Sequence, residues 1–208
     1  MQSNVMRGGP GLFPKNAVIF LIIYLFIILL LLGIPFSVRT AIYQVFKKGA
    51  KVLLNCQTAA FNTLESENFT LKYSEGDREI SAFVLDTAER YSVAVQEMLN
   101  YKLEQKVLLI MYPDQKSLNN SFGWAGDKST AGAYWAGSIR ILSPYAWAEE
   151  EADAERIKAV FLKESPLSHE LAHYVIDEKT GGNYPRWLSE GLAQYVEEKI
   201  TGFRLEEP

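Results

Sequence analysis

The chain contains two histidines, and they stand four residues apart in His169-Glu170-Leu171-Ala172-His173. On a helix, residues four apart lie one turn above each other on the same face, so both imidazoles can converge on one ion. Zinc accepts nitrogen ligands at about 2.0–2.1 Å, and two neutral imidazoles leave room for a third ligand and a water. Glu170 lies about 100° round the helix from His169, placed to reach that water without ligating the ion. This is the H-E-x-x-H spacing that metal-assisted hydrolysis needs. The bland alternative, two core histidines at helical spacing by coincidence, is the weaker reading in a chain that has only these two.

The third ligand must be a carboxylate. No further histidine exists, and Cys56 is the only cysteine, which excludes both a cysteine-rich zinc site and an internal disulfide. Asp177 sits one further turn along the same helix, but three ligands stacked on one helix span about 12 Å, too far for one ion. Glu190 fits better. A polar turn with Gly181 and Gly182 lets a second helix through Trp187, Leu188 and Leu192 fold back on the first, and Glu190 falls near its start. The competing role for Glu190 is a plain helix-start carboxylate.

The elements that must position these groups are legible as patterns. Ser165-Pro166 predicts a cap and first-turn proline for the histidine helix. Residues 69–73 alternate as a half-buried strand, residues 80–99 bury Val84, Ala88, Tyr91 and Val95 along a helical stripe, and residues 107–112 form a continuous apolar run expected to be a central strand. Residues 133–142 read as one or two sheet-edge strands, and Trp124, Tyr134 and Trp135 as core or rim packing. Residues 147–163 predict a helix opened by Glu149, Glu150 and Glu151, a charge order the helix dipole favours.

With these residues in view, H-E-L-A-H and a downstream glutamate in P-R-W-L-S-E-G-L-A-Q-Y resemble the gluzincin branch of the zinc metallopeptidases, in particular small bacterial peptidase MA-like domains that follow a membrane anchor. The resemblance covers roughly residues 65–202 and is specific over 166–195. It implies an α+β, zincin-like fold with a small mixed sheet and an active-site helix. It further implies Zn2+ held by His169, His173 and Glu190, with Glu170 as general base, and a peptide or protein substrate added as a strand along residues 133–141. Two departures stand out. Gluzincins place a later His or Tyr against the oxyanion, for which Tyr184, Tyr195 and Tyr134 are the candidates here. Thermolysin-like relatives carry an Asp four residues after the third ligand, where this chain has Gln194. These departures, with an end at Pro208 that suggests an incomplete C-terminal part, keep a second reading open: a membrane-tethered pseudopeptidase acting as a peptide-binding or scaffolding module.

Charge and hydropathy divide the chain. Residues 1–64 hold Arg7, Lys15, Arg39, Lys47, Lys48 and Lys51 and no acid, whereas the remaining 144 residues carry 15 basic and 25 acidic side chains. An acidic globular part argues against a nucleic-acid partner. Residues 17–34 are free of charge and have the 18 or so positions needed to cross about 30 Å of hydrocarbon. The expected organisation is therefore a short tail (1–16), a transmembrane helix in contact with lipid (17–35), a basic stalk (36–64) and a peptidase domain (65–208). The stalk is expected to run as an amphipathic helix along the membrane or as a plain spacer, with Ile42, Val45, Phe46 and Ala50 on one side and lysines on the other. Flanking charge leaves the orientation open, and the resemblance favours a single-pass protein with its catalytic domain outside the cytoplasm.

Overall fold

The computed structural model describes residues 15–33, 35–124, 129–147 and 152–204. The chain divides into two compact units, Met1–Ala41 and Ile42–Pro208. The first contains helix α1, Lys15–Gly33, and the opening of α2, Phe36–Gln57. Aliphatic and aromatic side chains run through α1 without a helix breaker until Gly33, and Pro35, which has no N–H to continue a helix, precedes α2.

This overturns the expected transmembrane helix over residues 17–35. Among the described residues, no helix is long and apolar enough to cross a membrane. Helix α1 spans 19 residues and opens on Lys15 and Asn16, so its apolar part rises roughly 25 Å against the ~30 Å of a hydrocarbon core. Ile34, counted in the apolar run, lies outside the described residues. The single-pass, extracytoplasmic placement and the lipid contact built on that helix are withdrawn with it.

The second unit is α+β. Its five strands are β1 (Asn62–Glu65), β2 (Phe69–Tyr73), β3 (Val107–Tyr112), β4 (Gly132–Trp135) and β5 (Ser138–Leu142), in the spatial order β1-β2-β3-β5-β4. The β2–β3 and β3–β5 pairs are parallel, and the outer pairs β1–β2 and β4–β5 are antiparallel, which makes the small sheet mixed. The expected zincin-like fold preceded by a membrane span is thus corrected to α+β with a small mixed sheet.

β3 is buried at every position because it is covered on both faces. Val107, Leu109 and Met111 join the larger core with helices α3 (Arg78–Met98), α6 (Leu167–Thr180) and α7 (Arg186–Thr201). Leu108, Ile110 and Tyr112 face the smaller core with Leu54 of α2 and Leu118 of α4 (Gln115–Ser121). The stripe of α3 is seated as its spacing predicts, with Val84, Ala88 and Val95 fully buried. Residues 133–142 are not all edge: β5 lies between β3 and β4, and of these two strands β4 alone is at an edge of the sheet. Helix α5 (Ala154–Glu164) is capped by Asp153, whose carboxylate accepts the Arg156 N–H; the acidic run 149–151 lies outside the described residues. Ser165 does not cap α6. Its main-chain N–H closes α5 onto Phe161, and its hydroxyl is buried without a hydrogen-bond partner among the described residues.

Helix α2 inverts the amphipathic reading. Lys47 is 3 % exposed while Ile42, Val45 and Phe46 stand at the surface. The reason is electrostatic: Lys47 Nζ lies 2.6 Å from Asp177 Oδ2 and also donates to Glu178, both at the far end of α6. The same face of α2 is received by backbone without side chains. At Gly182 (φ +81°) a Cβ would stand 2.5 Å from the Tyr43 ring, so close packing and a left-handed turn both require glycine there. Breaking a buried ion pair from one side leaves an uncompensated charge. Lys47→Met should therefore lower the unfolding free energy by about 3–5 kcal/mol in denaturant titrations, and adding Asp177→Asn should recover much of the loss. An unchanged midpoint for the single variant would refute the pairing.

Candidate metal centre

Helices α6 and α7 build the centre as an αα-hairpin. Leu167, Leu171, Ala172 and Val175 bury one side of α6 in the core, and this leaves His169 and His173 on the side that meets α7. Gly181, with φ +61° in the left-handed region, ends α6, and Pro185 precedes the first residue of α7. On α7, Ala193 and Val196 are buried, which turns Ser189, Glu190 and Glu197 toward the histidines.

The three sequence-predicted ligands meet. His169 Nε2 and His173 Nε2 are 3.0 Å apart, and Glu190 Oε2 lies 3.5 Å and 3.4 Å from them. Donor atoms bound at about 2.0–2.1 Å to one tetrahedral ion are separated by roughly 3.3–3.4 Å, so this triangle fits a small divalent cation closely. Among the described residues, His169, His173 and Glu190 form the one cluster of His, Cys, Asp and Glu that could hold a metal ion. Asp177 is not in it, being committed to Lys47.

The partners behind the imidazoles were missed in the sequence. His169 Nδ1 lies 3.0 Å from Glu197 Oε2, and His173 Nδ1 lies 2.6 Å from Ser189 Oγ. With Nδ1 protonated and donating in each ring, both Nε2 lone pairs point at the cluster, an arrangement that fixes tautomer and ring orientation around a metal. The carboxylate sought four residues after Glu190 stands seven after it. Residue i+7 returns to within about 20° of residue i on a helix, so Glu197 shares the face of Glu190, while Gln194 is exposed. That periodicity was the available signal.

Electrostatics divides the groups by burial. The Glu170 carboxyl, 7 % exposed, is raised to about 7, chiefly by burial, with the Tyr134 N–H donated to Oε2 at 2.6 Å acting against the rise. His173 is lowered to about 4, first by burial and then by the charge of His169. His169 is raised: burial works to lower it, but the bond to Glu197 and the charges of Glu170, Glu197 and Glu190 outweigh that. Burial also acts to raise Glu190, yet the two imidazoles and Arg186 bring it below the ordinary carboxylate range.

These groups open on a cavity of about 420 Å³, whose walls include Trp124, Tyr134, Tyr184 and Arg186. Trp124 and Tyr134 therefore line the site, while Trp135 packs edge-on against Phe46 away from it. Of the three tyrosines considered for an oxyanion, Tyr195 is not on the cavity wall, and the Tyr134 hydroxyl is bound to Asp177 and accepts the Gly137 N–H. Tyr184 remains on the wall, its phenol raised to about 12 by burial and by the neighbouring Asp177. Comparison with protein-family models, with curated proteins and with solved structures yields no match.

Glu197→Gln should weaken zinc binding by about 10- to 100-fold, measured by competition with a chromophoric chelator at pH 8. Because only neutral imidazole ligates, and His169 is raised above its ordinary value, affinity in the native protein should begin to fall at a pH above 6.5 as the solution is acidified. His173, already neutral there, adds nothing to that loss. The Gln variant should shift the pH midpoint downward, since the bond that raises His169 is weakened; an unmoved midpoint would deny Glu197 this role.

Proposed function

We propose that this protein is a zinc-dependent metallopeptidase of gluzincin type, with His169, His173 and Glu190 as metal ligands and Glu170 as general base. The observation that carries the reading is the triangle of two Nε2 atoms and one Oε2 atom, 3.0–3.5 Å on each side, at the wall of a cavity that also contains a buried carboxyl. A zinc ion in this donor set supplies a Lewis acid that lowers the pKa of water and draws electron density from a carbonyl oxygen.

The chain's own groups supply the rest. Glu170, its affinity for protons raised to about 7, is matched to accept a proton from water near neutrality and to return it to the departing nitrogen of a peptide. The Tyr134 N–H holds Oε2 and leaves Oε1 for that transfer. Arg186 on the cavity wall is the donor available to a developing oxyanion, since the Tyr184 phenol, like that of Tyr134, is hydrogen-bonded to Asp177. Strand addition along residues 133–141 narrows to β4, since β5 is interior, and the Tyr134 N–H is already taken by Glu170. A peptide would thus rely on the cavity walls more than on a sheet edge.

Glu170→Gln separates metal binding from chemistry. The variant should bind zinc as the native protein does and cleave a quenched-fluorescence peptide library about 10²- to 10⁴-fold more slowly; cleavage at the native rate would remove Glu170 from the mechanism. Glu190→Ala should lose the metal itself. Native protein that is loaded with zinc and binds peptides tightly, yet cleaves none, would favour the scaffolding alternative.

A further inference from the structure

Asp177 has no exposed surface and takes no part in the ligand triangle, yet hydrogen bonds from widely separated parts of the second unit converge on it. Tyr43 OH donates to Oδ1 at 2.8 Å, and Lys47 Nζ and Tyr134 OH donate to Oδ2 at 2.6 and 2.7 Å. Tyr134 is the member that also reaches the chemistry, since its main-chain N–H is bound to Glu170 Oε2 at 2.6 Å. Glu170 and Asp177 are seven residues apart on α6, two turns or about 10.5 Å of rise. One residue of β4 therefore bridges two turns of the site helix, held by its backbone at one end and its hydroxyl at the other. Its ring is further fixed edge-on to Tyr174, at 5.9 Å between centroids, and its hydroxyl accepts the Gly137 N–H.

Resting on the reading of the site as a peptidase centre, we propose that Tyr134 is a positioning residue for Glu170, and that the Lys47–Asp177 pair anchors it. The N–H of Tyr134 sets which carboxylate oxygen faces the cavity, and its own place is set by the grip of Asp177 on its hydroxyl. Lys47, from a helix 130 positions earlier in the chain, keeps a charged acceptor tolerable in a fully buried place. Helix α2 thereby takes part in aligning the base without touching the cavity.

Tyr134→Phe keeps the main-chain N–H and the ring and removes the hydroxyl, and with it the tie to Asp177 and the acceptor of the Gly137 N–H. The expected result is a kcat lowered by about 10- to 100-fold with KM within about two-fold, and zinc affinity like that of the native protein. Exchange of the residue-134 amide hydrogen, followed by NMR, should quicken by about ten-fold or more as the N–H loses its fixed place. Lys47→Met, which loosens Asp177 from the other side with Tyr134 intact, should quicken the same amide and lower kcat in the same manner. The relay is overturned if amide 134 exchanges at the native rate in Tyr134→Phe, or if kcat and zinc affinity fall together, which would place the effect on the ligands. The exchange measurement needs no turnover, so a native protein that binds zinc but cleaves nothing would defeat the peptidase reading separately from this one.

Discussion

A carboxylate with no exposed surface has to be met by donors, and meeting Asp177 organises much of the second unit. Its partners come from α2, through Tyr43 and Lys47, and from β4, through Tyr134. Each partner draws its element against the end of α6, and the glycines at 137 and 182 leave room for α2 to approach. Removing water from a carboxylate costs several kcal/mol unless charge and hydrogen bonds replace it, so these contacts stand or fall together. The cavity wall and the carboxyl of Glu170 are therefore mechanically tied to a contact outside the cavity.

The two faces of α6 carry different chemistry. Toward α7, the imidazoles are backed by Glu197 and Ser189 and face Glu190, a local arrangement whose members all lie between residues 169 and 197. Toward β4 and α2, Glu170 and Asp177 receive hydrogen bonds from residues 36, 43 and 130 positions away. The acidity of the region is concentrated in buried or half-buried carboxyl groups, and burial is what separates their behaviour: it lifts Glu170, while the neighbouring cations keep Glu190 low.

Local patterns were readable in the sequence and distant pairings were not. The β3 run, the α3 stripe, the four-residue histidine spacing and the glycine turn before Glu190 each express one element's geometry, and each element forms where its pattern lies. Lys47 is different, because periodicity assigns a lysine to water and its partner is 130 positions away. Glu197 escaped attention because an offset of four was carried over by resemblance, although the face of α7 favours an offset of seven. The apolar run at 17–34 misleads through composition: its hydropathy ignores Lys15 and Asn16 at one end of the helix and the stop at Gly33 at the other. Residues 133–142 read as edge because strand propensity carries no information on which neighbour arrives across a parallel crossover.

The α6–α7 hairpin gathers its donor set from fewer than thirty consecutive residues, whereas the tie from Tyr134 to Glu170 and the pair of Lys47 with Asp177 close loops of 36 and 130 positions. Short loops close at lower entropic cost and form sooner than long ones. The triangle of His169, His173 and Glu190 can thus come together before Tyr134 reaches Glu170. A partly opened molecule would keep its ligand triangle together while the carboxyl of Glu170 still lacks the Tyr134 N–H that fixes it.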